Sequence, residues 1–252
     1  MTKIACLIPA RYQSQRLPGK PLKEIHGKTI IERVYNQALK AVSVSDVYIL
    51  TDHDEIFTHA TTFAERVLMT SDSHPNGTSR ICEVLEDIDA DVIINLQGDE
   101  PFIDPARIDA LSQLMKKAAV SIGTCFHKVQ SSQDLFDYNK VKLVTSAADK
   151  ILYFSRSAIP ARRDLPYGRW LEEGNYFQHV GLYGFKKMVL AEYPKLKSTR
   201  LESLESLEQL RWLENGYAIH GVEVAADHSF GIDTEEDLKR ARALLGRNTM
   251  EE

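Results

Sequence analysis

Ile4-Ala5-Cys6-Leu7-Ile8-Pro9-Ala10-Arg11-Tyr12-Gln13-Ser14-Gln15-Arg16-Leu17-Pro18-Gly19-Lys20-Pro21-Leu22 is the stretch on which the reading of the fold turns. Residues 4–8 form a short apolar run of the kind that is buried on both faces of a parallel sheet. Behind the run comes a loop stiffened by prolines that carries cations at Arg11, Arg16 and Lys20. Ligands of open α/β sheets gather beyond the carboxyl ends of strands. Arginine offers paired donors there and lysine a compact charge, while Ser14 and Gly19 let the backbone come close, so the loop suits a polyphosphate. A solvated turn accounts for one loop arginine; it accounts poorly for three cations in a rigid loop placed directly after a strand. Neither GxxxxGK[ST] nor GxGxxG occurs in the chain, which counts against kinase-like ATPases and dinucleotide dehydrogenases.

Outward from this strand the signals alternate. A helix is expected over 28–41, a strand over 46–50, a helix over 53–65, a short strand over 66–69, a helix over 78–86, a buried strand over 91–96 and a helix over 105–117. Such a rhythm predicts an α/β fold, a mostly parallel sheet with helices on both faces. Strands over 141–145, 150–154 and 179–185 lack long helices between them and predict an antiparallel extension. The segment 201–215 reads as one helix. Its leucines at 201, 204, 207, 210 and 213 recur every three residues, which spreads them around the cylinder and predicts burial on several sides. The segment is too short and lacks the heptad for a coiled coil. The polar stretch 162–175, with Pro166, Gly168 and Gly174, reads as a loop that could serve as a lid or an insertion.

The 252 residues, 43% hydrophobic and 27% charged, suit a globular protein read as a single domain over 1–252. A formal net charge of -5 argues against a general nucleic-acid or membrane surface, so a phosphate site has to be built locally. Cys6, Cys82 and Cys125 form neither a disulfide framework nor a CxxC zinc pattern and are read as reduced thiols. With no membrane-length apolar run and no leader-like start, the expected compartment is the cytoplasm.

Val92-Ile93-Ile94-Asn95-Leu96 leads into Gln97-Gly98-Asp99-Glu100-Pro101. A carboxylate directly after a buried parallel strand is well placed to hold Mg²⁺ against a phosphate, which makes Asp99 the first candidate ligand. Gly231-Ile232-Asp233-Thr234 precedes a helix start, and spacing alone favours Asp233 or Thr234 as an N-cap, with Asp237 on the helix surface. Residues 69–80, Met-Thr-Ser-Asp-Ser-His-Pro-Asn-Gly-Thr-Ser-Arg, form a loop entering a helix that could aim donors at a base or ribose. His74 within it also reads as an ordinary surface histidine.

Taken in order, IPARYQSQRLPGKPL, MTSDSHPNGTSR, INLQGDEP, VKLV, LYFSRSAIP, HVGLYGF, ESLEQLR and GIDTEEDL closely resemble the CMP-Kdo synthetases, the 3-deoxy-manno-octulosonate cytidylyltransferases, over nearly the whole chain. LPGKPL separates this group from the sialic-acid cytidylyltransferases, whose loop resembles GSKGIPxKN. The resemblance implies a Rossmann-like nucleotide-diphospho-sugar transferase fold and a homodimer, with a sugar-binding and dimerisation elaboration over roughly 125–215. It implies the reaction of CTP with Kdo to give CMP-Kdo and pyrophosphate with Mg²⁺, for lipopolysaccharide or capsule synthesis. Arg11, Ser14, Arg16, Lys20, Gly77 and Arg80 would hold the nucleotide, and Asp99 and Asp233 would be the metal carboxylates, against the N-cap reading of Asp233. Arg11, Lys20, Asp99 and Asp233 would carry catalysis. Arg156, His179, Tyr183, Glu208 and Gln209 would contact the sugar acid, with Arg163 as a helper. Ser79 stands where the family commonly has Asp, and Ala161 where an aromatic often follows Ile159-Pro160. Related sugar acids, such as 8-amino-Kdo or a nonulosonate, and a non-catalytic nucleotide-sugar sensor are the alternatives.

Overall fold

The computed structural model describes residues 2–14, 16–227 and 229–248, so Gln15 of the charged loop lies outside the described residues. In chain order the elements are β1 (Ile4–Ala10), β2 (Glu24–Ile25), β3 (Lys28–Thr29), α1 (Ile30–Ala38), β4 (Asp46–Thr51), α2 (Asp54–Ala60), β5 (Val67–Met69), α3 (Gly77–Glu83), β6 (Val92–Leu96) and α4 (Pro105–Met115). There follow β7 (Ile122–Lys128), α5 (Ser132–Phe136), β8 (Lys142–Thr145), β9 (Ile151–Ser155), α6 (Trp170–Glu173), β10 (Phe177–Lys186), α7 (Lys187–Leu190), α8 (Arg200–Glu205), α9 (Gln209–Glu214), β11 (Ile219–Glu223) and α10 (Glu235–Asn248).

β1 pairs in parallel with β4 on one side and β6 on the other, and β4 pairs in parallel with β5. The two-residue period of a strand divides β1 between two cores. Ile4, Cys6 and Ile8 join Val92, Ile94 and Leu96 beneath Ile31, Val34, Ile108 and Leu111. Ala5 and Leu7 join Ile93 on the opposite face, against Ile81, Leu190, Leu210 and Trp212. Burial on both faces is why the run reads as continuously apolar. Local caps fix where helices begin. Thr29 Oγ1 accepts from the Glu32 N–H, Asn76 Oδ1 from Ser79 N–H, and Asp104 from Ala106 N–H with Pro105 at the first helical position. The helix expected from residue 28 therefore starts at Ile30, because Lys28 and Thr29 pair with β2 first.

The antiparallel extension is β10, which lies between β6 and β7 and runs against both. Leu182 sits opposite Leu96, the last residue of β6, so residues 177–181 run on past the carboxyl end of the parallel strands. β8 pairs with β10 and β9, and β11 closes the far edge in parallel with β7. The sequence reading did not anticipate β7 or β11.

The helix expected over 201–215 is two helices. Glu202 reaches back to the Thr199 N–H to start α8, and Ser206 takes a left-handed conformation, φ 51°, that ends it. The Arg156 guanidinium binds the carbonyls freed at that break, Glu205 O at 2.7 Å and Ser206 O at 3.2 Å. The leucines accordingly do not surround one cylinder: Leu207 and Leu210 are buried while Leu204 is exposed. The stretch 162–175 contains a 3-10 turn, Tyr167–Arg169, and α6, whose Trp170 packs with Val129, Leu135 and Tyr176. Cys6 and Cys125 are buried free thiols pushed up to about 12 by burial. Among the described residues no helix is long and apolar enough to cross a membrane.

Candidate active site

Where β1 and β6 end, a cavity of about 270 Å³ opens between the charged loop and the start of α3. Gly98 lets the two strand ends approach: a Cβ there would stand 2.7 Å from the Pro9 carbonyl oxygen. Lys20 Nζ lies 2.6 Å from Asp99 Oδ2 and 3.0 Å from Asp233 Oδ1, and Arg16 Nη2 lies 3.0 Å from Asp233 Oδ2. Burial works against the Lys20 charge, but Asp99 and Asp233 outweigh it and hold its pKa above the ordinary lysine value. Burial likewise opposes ionised Asp233, and Lys20 and Arg16 prevail, keeping that carboxyl below the usual range. Arg11, Ser14 and Gly77 also line this cavity.

Asp233 reaches the cavity because the Ile232 N–H donates to Asp99 O at 2.8 Å. It is not the cap of α10. Thr234 Oγ1 accepts from the Asp237 N–H, and Asp237 Oδ2 accepts from the N–H groups of Thr234 and Asp233, a capping box that leaves the Asp233 carboxylate free to face Lys20. Asp237 is thereby a capping residue and not the plain surface residue expected.

Arg80 lines the cavity from a buried position, with Asp52 Oδ2 at 2.6 Å and Ser71 O at 3.1 Å. Asp52 Oδ1 accepts from the Tyr12 N–H at 3.3 Å and so joins Arg80 to the charged loop. Sequence reasoning missed Asp52, although its place directly after β4 gives the same signal that singled out Asp99. Ser79, one of the two departures, donates from Oγ to Asn76 O at 2.9 Å and helps to close the first turn of α3. His74 lines the cavity and pairs with Glu83. Behind Asp99, burial and the Asp99 charge push Glu100 up to about 7.

The Asp99 and Asp233 carboxylates converge on one ammonium group. Among the described residues no cluster of three His, Cys, Asp or Glu forms an all-protein metal cage. Mg²⁺ commonly takes one or two carboxylates and completes its shell from phosphate and water, so this donor set fits it.

A second cavity, about 400 Å³, adjoins the first and shares Thr78, Gln97 and Glu208 with it. Arg156, His179, Tyr183, Glu208 and Gln209 all line it. Arg156 donates from Nη1 to Tyr138 O at 3.0 Å in addition to its bonds at the α8 break. The Tyr183 hydroxyl is buried with no hydrogen-bond partner among the described residues, and burial raises its pKa well above the ordinary tyrosine value. Burial also raises Glu208, against the opposing hydrogen bonds of Thr78 and Tyr193. His179 is held neutral, pushed down to about 3 by burial and by the neighbouring His127. Arg163 and Ala161 are exposed and line neither cavity.

A family model described as cytidylyltransferase matches residues 5–239. The chain is 42% identical over 251 residues to 3-deoxy-manno-octulosonate cytidylyltransferase of Parabacteroides distasonis, covering 97% of this chain and 99% of that protein. It is 43% identical over 253 residues to the Geotalea daltonii protein of the same name, covering 96% and 98%. The solved structure of CMP:2-keto-3-deoxy-manno-octonic acid synthetase complexed with CTP is similar at a TM-score of 0.91 and 39% identity, over 98% of this chain and 100% of that one. With similarity of this extent over nearly the whole chain, the chain belongs to the cytidylyltransferase family, in the group of the 3-deoxy-manno-octulosonate cytidylyltransferases.

Proposed function

We propose that this protein transfers CMP from CTP to the anomeric hydroxyl of 3-deoxy-D-manno-octulosonate and releases pyrophosphate. The observation that carries the reading is the pair of cavities joined across Thr78, Gln97 and Glu208. One is lined by Arg11, Lys20 and Arg80, as a triphosphate requires, and the other by Arg156, His179 and Tyr183, as a polyhydroxylated acid requires.

In the reaction the anomeric oxygen attacks the α-phosphorus in line. The new O–P bond forms as the bond to pyrophosphate breaks, and the hydroxyl proton passes to solvent. Catalysis of this kind rests on positioning and on neutralising charge, and needs no protein nucleophile. Arg11, Arg16 and Lys20 bind the β- and γ-phosphates and stabilise the departing pyrophosphate. Arg156 retains guanidinium N–H groups beyond those spent on backbone carbonyls, and these take the sugar carboxylate. Asp99 and Asp233 would hold Mg²⁺, which would supply positive charge for the reaction. Two copies form a homodimer in the same reading, supported by exposed Leu152 on β9 and Leu204 on α8.

Pyrophosphate release is the test. CTP, Mg²⁺ and a panel of sugar acids are supplied, with UTP and ATP as controls and with EDTA in a parallel series. Release with CTP and Kdo, lost in EDTA and restored by excess Mg²⁺, is expected. Release only with a different sugar acid reassigns the acceptor, and undiminished release in EDTA removes the metal.

A further inference from the structure

β10 departs from regular pairing at the second cavity. Val180 faces Cys125 on β7, yet the next matched pair is Tyr183 with Thr124, so Gly181 and Leu182 are inserted as a bulge. Thr124 is fully buried beneath it. Its Oγ1 lies 2.8 Å from Leu182 O, 3.4 Å from Val180 O and 2.9 Å from His179 Nε2.

Proton accounting settles the directions of these bonds. A hydroxyl has one proton to give, and a carbonyl oxygen can only accept. Two acceptors facing each other at 2.8 Å would repel, so the Thr124 proton goes to Leu182 O. The 2.9 Å contact to His179 then requires a proton on Nε2, donated to Thr124 Oγ1. In a neutral imidazole a protonated Nε2 leaves Nδ1 with a bare lone pair. Burial against Phe154 and Tyr183 keeps the ring neutral. Among the described residues Nδ1 has no hydrogen-bond partner, and the ring lines the second cavity.

We propose that Thr124 is a positioning residue that fixes the tautomer of His179, so that His179 Nδ1 meets the bound sugar acid as a hydrogen-bond acceptor for one of its hydroxyls. The inference rests on the proposed sugar acid only for its ligand; the tautomer is a property of the free protein. It divides the second cavity by chemistry. Arg156 takes the carboxylate, and His179 senses a hydroxyl by its proton. The bulge, carried by the Val180-Gly181-Leu182 part of the HVGLYGF motif, is what brings a carbonyl to the Thr124 hydroxyl and sets this polarity.

Nitrogen-15 NMR of the full-length protein labelled at histidine reads the tautomer directly, with His179 assigned by its loss in His179→Gln. The expected spectrum has Nε2 protonated and Nδ1 unprotonated, unchanged between pH 7.5 and 5.5. Thr124→Val removes the acceptor and is expected to give a tautomer mixture and a KM for Kdo raised about tenfold, the order of one lost hydrogen bond, with KM for CTP within about twofold. Thr124→Ser is expected to preserve both the spectrum and the KM. A wild-type ring protonated on Nδ1 overturns the proposal, as does a Thr124→Val enzyme with the wild-type KM for Kdo. Should Thr124→Val fail to fold, the wild-type spectrum and the Thr124→Ser enzyme still decide the matter. If wild-type protein releases no pyrophosphate with Kdo, the functional reading fails, while the spectrum continues to test the tautomer.

Discussion

Lys20 holds two carboxylates from segments far apart in the chain, and this contact sets what single substitutions do. Asp99→Asn keeps the side-chain shape but leaves Asp233 as the only anion against Lys20. Turnover is expected to fall about 100-fold or more, the order lost with one preorganised charge, while CTP affinity measured by calorimetry changes little. Near-normal turnover at saturating Mg²⁺ would end the role assigned to Asp99. His179 makes a prediction about stability. It titrates near 3 when folded and at an ordinary 6.5 when unfolded. Between those values only the unfolded chain binds the proton, so stability falls as pH drops below 6.5 and is unaffected above it. Urea unfolding from pH 6.5 to 4.5 is expected to show a wild-type slope exceeding that of His179→Gln, approaching about 1.4 kcal/mol per pH unit. Equal slopes would show that burial does not hold the ring neutral. At this scale the charged loop was legible because three cations share one short rigid segment. Asp233 was not, since its spacing before α10 fits an N-cap equally well. Only the Thr234 and Asp237 capping box reveals that the position was already filled. Asp52, directly after β4, carried the same signal as Asp99 and was passed over, and its pairing with Arg80 appears only in the fold.

Elements place these side chains by close approach of backbones. In Gly98→Ala the new methyl meets the Pro9 carbonyl of β1, a neighbour that cannot rotate away. The expected cost is about 1–3 kcal/mol in urea unfolding, together with lost turnover as Asp99 is displaced. A Gly98→Ala enzyme with wild-type stability and turnover would contradict the packing of the two strand ends. The same kind of contact occurs at the glycines of β7 and β11, the strands that escaped the sequence reading. In the fold Gly123 lies where a Cβ would come within 2.8 Å of Met115 Sδ, and Gly221 where one would come within 2.5 Å of the Phe126 ring. The parallel strands 46–50 and 91–96 were legible because their apolar runs need only be buried. The division at Ser206 was not, because the carbonyls freed at the break are taken up by Arg156, a residue distant in sequence.

Across the molecule the two cavities share Thr78, Gln97 and Glu208, so neither ligand can shift these groups without affecting the other's site. Binding coupling of this kind is reciprocal. A non-transferable CTP analogue is expected to change the Kd for Kdo by the same factor by which Kdo changes the Kd for the analogue, measured by calorimetry in both orders. A factor of one in both orders would show that the shared wall transmits nothing. The overall α/β alternation was legible because every βα step repeats the same periodicities. The placement of β10 was not, since strand order depends on long-range pairing.

β10 runs against its neighbours, and its first residues project past the end of β6. On the proposed function, the nucleotide is therefore met by strands leaving the sheet and the acceptor by a strand arriving. Thr78, Asn95, Gln97 and Glu208 aside, these two sets of residues occupy separate stretches of the chain, 9–99 and 141–212, with Asp233 returning from the C-terminal side. On the proposed function, acceptor choice can accordingly drift by recombination or mutation within the second stretch while most of the CTP-handling stretch is inherited intact, which makes β8 to α9 the segment to exchange when redesigning what this scaffold activates.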